Sequence, residues 1–379
     1  MIHRIVNKQV NDLLAHYPAA VLVGPRQCGK TTLARSIGRA YFDLEQESDR
    51  LKLDLDWSKV VQAEQLIVLD EAQTLPDLFP RLRGAIDADR KRTGRFLLLG
   101  SVSPALMTQV AESLAGRMAV IELTPFLLEE GAAESLDRLW LTGGFPDGGV
   151  LDASRFPRWQ HDYLTLLVQR DLPTWGLPAR PQTTERLIRM LAAVHGQSWN
   201  ASQLGQSLGI DYKTVNAYVD FLAGAFLVRR LPAYFANLTK RLVKAPKVYI
   251  RDTGLLHATL NVADRESLLS QPWVGASWEG FVIEQIISHL SSRGRTIDAF
   301  HFRTSDGWEI DLVLQSGTER IAIEIKLTSS PSSADIARLN RAADLIGASR
   351  RYLISRTPTV ARSHQTVSCD LTSALEELS

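Results

Sequence analysis

A chain of 379 residues is too long for one ordinary hydrophobic core, which excludes a single small domain and predicts two or three. Hydrophobic residues at 45% and charged residues at 22% exclude a disordered or fibrous chain, and a net charge of +1 excludes a global basic field, so any affinity for nucleic acid must come from local clusters. Cys28 and Cys369 are too few for a disulfide framework. The opening MIHRIVNKQVND lacks the apolar run of a signal peptide, and no run reaches bilayer length, so the expectation is a cytoplasmic protein with no membrane span.

Up to about residue 150, short apolar stretches alternate with helical ones. AAVLV, AYFDL, LIVLD, RFLLLG and AVIEL are the expected strands, and KTTLARSIG and LFPRLRGAIDADR are expected helices, the pattern of an α/β domain with a parallel sheet. Between the first strand and first helix stands GPRQCGKTT, which fits the phosphate-loop spacing of Gly24, four residues, then Gly29, Lys30 and Thr31. Glycines let backbone N–H groups turn inward around phosphate oxygens, and the helix N-terminus adds partial positive charge. The candidate nucleotide contacts are Gly24, Pro25, Arg26, Gln27, Cys28, Gly29, Lys30, Thr31 and Thr32. Lys30 is expected on the β and γ phosphates of ATP and Thr31 on Mg²⁺. LIVLDEAQ then ends an apolar strand in Asp70 and Glu71, at the edge where ligands of parallel sheets gather. Asp70 is the expected second Mg²⁺ holder, and Glu71 the residue that orients the attacking water.

Ser101, after RFLLLG, is either a γ-phosphate sensor or a simple turn serine. Arg117, in SLAGRMAVIEL, is either a surface arginine or one that completes a neighbour's ATP site, which would imply a head-to-tail homo-oligomer such as a ring. LTGGFPDGGVLD, dense in Gly, Pro and Asp, marks a domain boundary.

Residues 151–233 read as helical. In NASQLGQSLGIDYKTVNAYVDFLAGAFLVRRL, Asn200 and Asp211 are expected N-caps and Gly209 a turn between two short helices, followed by a strand entering a wing. The second helix would offer Tyr212, Lys213, Asn216 and Tyr218 to DNA; a spacer or oligomerisation module fits the same pattern. The basic run that follows, with Lys240, Arg241, Lys244, Lys247 and Arg251, supplies further candidate DNA-backbone contacts, or is a solvated basic turn.

From about residue 234 strands return in KVYIRD, IDAFHFR, EIDLVLQ, IAIEIK and RYLISR, with helices such as WEGFVIEQIISHL and SADIARLNRAADLIG between them: a second α/β module. IAIEIK places Glu324 and Lys326 on one face, because successive strand side chains point oppositely. A hairpin turn centred between Gly317 and Thr318 sets Asp311 opposite Glu324, with Cβ atoms about 5 Å apart. Either the pair of charges is a weak surface ion pair on a wet face, or the two carboxylates share a metal ion. In the second case Lys326 activates a water or stabilises phosphorane charge, and Glu279, from SWEGFVIEQII, completes the acidic set, with Glu284 as a weaker substitute.

Acid, then Asp, then Glu-x-Lys resembles the layout of restriction-endonuclease-like nucleases. The whole chain resembles the prokaryotic AAA-type P-loop ATPases followed by a winged helix and a C-terminal domain of unknown function. The resemblance is carried by GPRQCGKTT, LIVLDEAQ, SLAGR, PKVYIRDTGLL, WEGFVIEQ, RTSDGWEIDLVL and IAIEIK. It implies an AAA-type P-loop NTPase domain (1–150), a helical winged helix-turn-helix (151–233) and a restriction-endonuclease-like α/β domain (234–379), in an ATP-binding protein engaged with DNA. Cys28 stands where such proteins usually carry an aliphatic residue. The expected activity is a Mg²⁺-dependent ATPase remodelling or moving on DNA with a nuclease-like C-terminal domain, or alternatively a nucleotide-gated switch whose nuclease-like fold is only a scaffold.

Overall fold

The computed structural model describes residues 2–100, 114–235, 242–363 and 365–379. Helix α1 (Val6–His16) precedes β1 (Ala19–Val23), and the phosphate-loop segment leads from β1 into α2 (Lys30–Ile37). β2 (Ala40–Asp43) is followed by α3 (Glu47–Leu55), α4 (Trp57–Gln62), β3 (Ile67–Asp70), α5 (Leu78–Ala88), β4 (Phe96–Leu99) and β5 (Met118–Glu122). The five strands form one parallel sheet in the order β2-β3-β4-β1-β5, so all five strands expected from the sequence are present in it. Helices cover both faces, which is why β1, β3 and β4 are buried along their whole length and read as unbroken apolar runs. Val21, Leu69 and Leu98 pack toward Phe79, Leu82 and Ile86 of α5, while Leu22, Val68 and Leu97 meet Val10 of α1 and Leu33 of α2. Each such side chain contributes about 1.5–3 kcal/mol when fully buried.

The chain then turns away from this sheet. Helix α6 (Leu136–Thr142) buries Leu139 and Trp140 against the C-terminal part, where the Trp140 indole stacks edge-on to Trp278 at 5.2 Å and donates to Ser277 Oγ at 3.0 Å. Helix α7 (Arg158–Leu166) runs into a π-helical turn (Leu167–Asp171), a form that adds one residue to the turn and re-aims the side chains beyond it. Helices α8 (Pro181–Ala193), α9 (Ala201–Leu208) and α10 (Tyr212–Gly224) follow. Asn200 and Asp211 cap α9 and α10 as expected, and Gly209 takes the left-handed turn between them (φ 71°). β6 (Val228–Leu231) and β7 (Lys247–Ile250) then form a two-stranded antiparallel ribbon. The expected strand KVYIRD thus joins β6 rather than the C-terminal sheet: Val228 and Leu231 pair with Ile250 and Lys247.

Helices α11 (Thr253–Thr259), α12 (Arg265–Leu269) and α13 (Val274–Ser292) lead into the last sheet. α13 is apolar on most sides because it lies between the C-terminal sheet and the segments that dock on it. The sheet comprises β8 (Asp298–Arg303), β9 (Glu309–Ser316), β10 (Glu319–Ile325), β11 (Arg350–Ile354), β12 (Ala361–Arg362) and β13 (Thr366–Cys369), in the order β12-β13-β11-β10-β9-β8. β8, β9 and β10 form an antiparallel meander. α14 (Ser333–Ile346) carries the chain across to β11, parallel to β10, and α15 (Leu371–Leu378) closes the chain. Among the described residues no helix is long and apolar enough to cross a membrane.

The modules meet on buried charge. Arg251, at the end of β7, pairs with Glu122 at the carboxyl end of β5 (2.5 Å) and with Glu284 on α13 (2.6 Å). Arg229 of β6 pairs with the same Glu284 at 2.7 Å. These two guanidinium groups outweigh the effect of burial and hold the Glu284 carboxyl down to about 2. The weaker substitute for Glu279 is therefore committed to the module joint, and so is Arg251, which is paired with two carboxylates rather than exposed for DNA backbone.

Close backbone approach at α11 yields a stability test. A Cβ added at Gly254 would lie 1.9 Å from the backbone oxygen of Thr142, so Gly254→Ala must push α11 from α6 and is expected to cost about 2–4 kcal/mol in urea unfolding. Gly84, exposed within α5 and meeting nothing within 4 Å, is the contrast: Gly84→Ala is expected to gain about 0.5–1 kcal/mol.

Candidate functional site

The loop between β1 and α2 is shaped by close backbone contact. Gly24 (φ 150°) passes so near β5 that a Cβ there would lie 2.1 Å from the Leu123 carbonyl oxygen. Gly29 (φ 103°) caps α2 without any side-chain hydrogen bond, leaving the first-turn N–H groups for an anion. Lys30 is buried, its Nζ donating to the carbonyls of Gly24 and Pro25, each at 2.9 Å. The ammonium is thus held on the loop's own carbonyls, across the turn that a phosphate would enter. Thr32 is exposed in the first turn and Gln27 (φ 63°) is exposed on the loop. Cys28 is buried with Sγ 3.3 Å from the Leu123 carbonyl, and burial pushes its thiol up, so it is a packing residue without thiolate chemistry.

At the end of β3, Asp70 accepts three hydrogen bonds: from Thr31 Oγ1 at 2.8 Å, from the Tyr41 hydroxyl at 2.7 Å and from the Glu71 backbone N–H at 2.9 Å. The expected Mg²⁺ pair, Thr31 and Asp70, therefore stands with its two oxygens adjacent, which suits an octahedral ion keeping several waters. Tyr41 was not foreseen. It projects from β2 beside β3, and burial together with the Asp70 carboxylate pushes its hydroxyl up, keeping it a donor. Its signal was the parallel pairing of AYFD with IVLD, which a motif search ignores. Glu71 adopts left-handed backbone geometry (φ 50°) and accepts from Gln73 Nε2. Such geometry costs a non-glycine residue about 1–3 kcal/mol and concentrates at functional sites.

Two arginines tie the loop to its surroundings. Arg26 donates from Nη1 to Asp171 in the π turn at 2.9 Å, tying the loop to the middle domain. Arg4, also unforeseen, is buried; it donates to the Cys28 carbonyl at 3.0 Å and the Thr124 carbonyl at 2.6 Å, and pairs with Glu130 at 2.8 Å.

Ser101 lies outside the described residues. Arg117 precedes β5, at the opposite end of the sheet from the loop, and pairs in two-pronged fashion with Asp87, both contacts at 2.9 Å. The Arg117 and Arg90 guanidinium groups hold the Asp87 carboxyl down to about 2.

In the middle domain Lys213 is exposed, as is Tyr212 (52%). Asn216 instead accepts from the Trp199 indole at 2.8 Å, and Tyr218 donates to the Pro178 carbonyl at 3.3 Å, so the face expected for DNA is reduced to its first turn. Lys244 is exposed, while Lys240 and Arg241 lie outside the described residues. The connection between β6 and β7 touches β8 through the bridge Ala233–His301 and the residue after β8 through Leu242–Thr304.

Lys247 requires a correction. It is 4% exposed, not a surface phosphate contact, and its Nζ lies 2.9 Å from Glu279 Oε1, 2.9 Å from Glu309 Oε1 and 3.6 Å from Asp311 Oδ1. The hairpin has the expected register: Ile323 pairs with Leu312, and one step further Glu324 faces Asp311. Glu279, Asp311, Glu324 and Lys326 are thus gathered at one place. The metal assignment of Asp311 and Glu324 does not fit it. Asp311 accepts from the Ile325 N–H at 2.9 Å and faces the Lys247 ammonium, while Glu324 Oε1 pairs with Lys326 at 2.7 Å. Among the described residues no group of three or more His, Cys, Asp and Glu stands so as to hold a metal ion. Burial, and next the neighbouring Asp311, push Glu279 up to about 7 and Glu324 up to about 8. The surface-ion-pair reading fails as well, since Glu324 is only 7% exposed.

Comparison with known proteins gives the following. An AAA domain family model matches residues 16–131, and two domains of unknown function, DUF8612 and DUF4143, match residues 133–266 and 274–372. The chain is 40% identical over 320 residues to an uncharacterized protein of Mycobacterium tuberculosis, and equally to one of Mycobacterium bovis, spanning 83% of this chain and 71% of each relative. It is similar to a solved Walker-type ATPase of Pyrococcus abyssi with a TM-score of 0.50 and 14% identity, over 69% of this chain and 96% of that one. At that identity the likeness speaks for the fold alone.

The raised Glu324 carboxyl sets a pH test. In the fold it keeps its proton up to about pH 8, whereas its ordinary value is 4.5, so the fold loses stability as pH rises between the two. Glu324→Gln has no proton to lose. With chelator present, its melting temperature is expected to match that of the unaltered chain near pH 4.5 and to exceed it at pH 9; equal values at pH 9 would contradict the raised carboxyl.

Proposed function

The chain belongs to the family of AAA-type P-loop ATPases that carry a C-terminal domain of unknown function, and from that premise we propose that it is a Mg²⁺-dependent ATPase working as a nucleotide-gated switch, with DNA as its partner. The observation that carries the reading is the set of three groups around one loop: Lys30 on the Gly24 and Pro25 carbonyls, Thr31 on Asp70, and Arg26 on Asp171. The first two are what phosphate and Mg²⁺ binding require. The third joins the same loop to the middle domain.

When triphosphate enters, the α2 N-terminus and the loop N–H groups face its oxygens, and Lys30 exchanges two backbone carbonyls for the β and γ phosphates. Thr31 and Asp70 are the residues that would hold Mg²⁺, which supplies charge neutralisation at the transferred phosphoryl group. Glu71, held by Gln73 beside Asp70, orients the attacking water. Arg26 shifts with the loop and carries the change to the π turn through Asp171. The exposed first turn of α10, with Tyr212 and Lys213, and the exposed Lys244 then meet DNA backbone. A head-to-tail oligomer would need Arg117 to leave Asp87 for a neighbour's γ-phosphate, which is part of the same proposal.

One assay tests the reading: ATP hydrolysis with Mg²⁺, with and without duplex, single-stranded and branched DNA. Lys30→Ala is expected to lower turnover at least about 100-fold. At least one DNA form is expected to stimulate the unaltered chain, and Lys213→Glu with Lys244→Glu is expected to remove the stimulation at an unchanged basal rate. Full turnover by Lys30→Ala would end the ATPase reading, and indifference to every DNA form would end the DNA half.

A further inference from the structure

The carboxylates of the C-terminal sheet surround a cation supplied by the chain itself. Lys247 is the first residue of β7, in the middle-domain ribbon, where it pairs with Leu231 and is bridged to Ser198. Its side chain crosses into the C-terminal module and meets Glu279 from α13 and Glu309 and Asp311 from β9. Two residues on, the Tyr249 hydroxyl donates to the same Glu279 oxygen at 2.5 Å. Glu309, which sequence reasoning did not use, is thereby part of the cluster. On its far side Glu324 Oε2 is buried and has no hydrogen-bond partner among the described residues.

A divalent cation holds opposing carboxylates by charge, and it cannot share their centre with an ammonium, since two cations at contact distance repel in a buried setting. We propose that Lys247 is a built-in cation that takes the place of a metal ion among Glu279, Glu309 and Asp311, so that the C-terminal domain of this chain is a docked scaffold that neither gathers Mg²⁺ nor cuts phosphodiesters. The same contact pins the ribbon to the sheet. The arrangement differs from a solvated ion pair in three respects: the ammonium is buried, it comes from another module, and it meets carboxylates from two separate elements.

The test is Mn²⁺ binding by nucleotide-free full chain, followed by electron paramagnetic resonance and calorimetry, which keeps it separate from the ATPase reading. The unaltered chain is expected to bind no Mn²⁺ that Asp311→Asn removes. Lys247→Ala is expected to bind one Mn²⁺ per chain at least about tenfold more tightly, with a melting temperature that rises on adding the ion and with the gain lost in Lys247→Ala/Asp311→Asn. Lys247→Gln, closer in length, is expected to behave alike. If either variant is unfolded in chelator, recovery of the folded form by Mn²⁺ supports the proposal and failure to recover contradicts it. Mn²⁺ bound by the unaltered chain and lost on Asp311→Asn would overturn it, as would nicking of plasmid DNA by the unaltered chain that depends on Asp311.

Discussion

The pairing of buried cations across module boundaries is the constraint on which the arrangement rests. A guanidinium or ammonium removed from water must meet a carboxylate or carbonyl, and removing one partner of such a pair costs about 3–5 kcal/mol. Arg251 meets Glu122 of the P-loop sheet and Glu284 of α13, and Lys247 meets Glu279, Glu309 and Asp311; within the P-loop domain Arg4 meets Glu130, the Cys28 carbonyl of the loop and the Thr124 carbonyl after β5. Apolar burial would let the three modules slide, since it is non-directional. These charges fix where each module sits, and so where the loop, the π turn and the C-terminal carboxylates stand.

Two pairings, one of them the half-exposed Arg26, touch the phosphate loop directly. Arg26 is held by Asp171 and the Cys28 carbonyl by Arg4, so the loop cannot rearrange around phosphate without changing its contact with a neighbour. Glu122 ends β5 one residue before Leu123, whose carbonyl crowds Gly24. The joint that holds the middle domain and the nucleotide loop are therefore connected through a short run of backbone. In the proposed switch the Arg26–Asp171 pair is the contact that a shift of the loop would break.

The P-loop domain was legible because its strands are buried on both faces and its chemistry follows a fixed spacing along the chain. The register of β9 and β10 was legible for a related reason: a two-residue turn at Gly317 and Thr318 and a period of two leave one pairing that buries Leu312, Leu314 and Ile323 together. What escaped were side chains whose partners come from remote segments. Lys247 sits in a basic run and reads as solvated; only the pairing of β7 with β6 aims it at Glu279. Tyr41 and Arg4 are bound by residues far along the chain, and Asn216 and Tyr218 are drawn inward by Trp199 and Pro178. Local pattern predicts faces, and it does not say which module will cover them.

The central claim is that nucleotide at the loop is felt in the middle domain through Arg26 and Asp171. Hydrogen exchange of the full chain with and without ATP and Mg²⁺ tests it most directly. The account predicts changed protection in the loop at 24–32 and also in the π turn at 167–171, with the second change lost in Asp171→Ala while the first persists. Protection confined to the loop in the unaltered chain, with 167–171 indifferent to nucleotide, would contradict it.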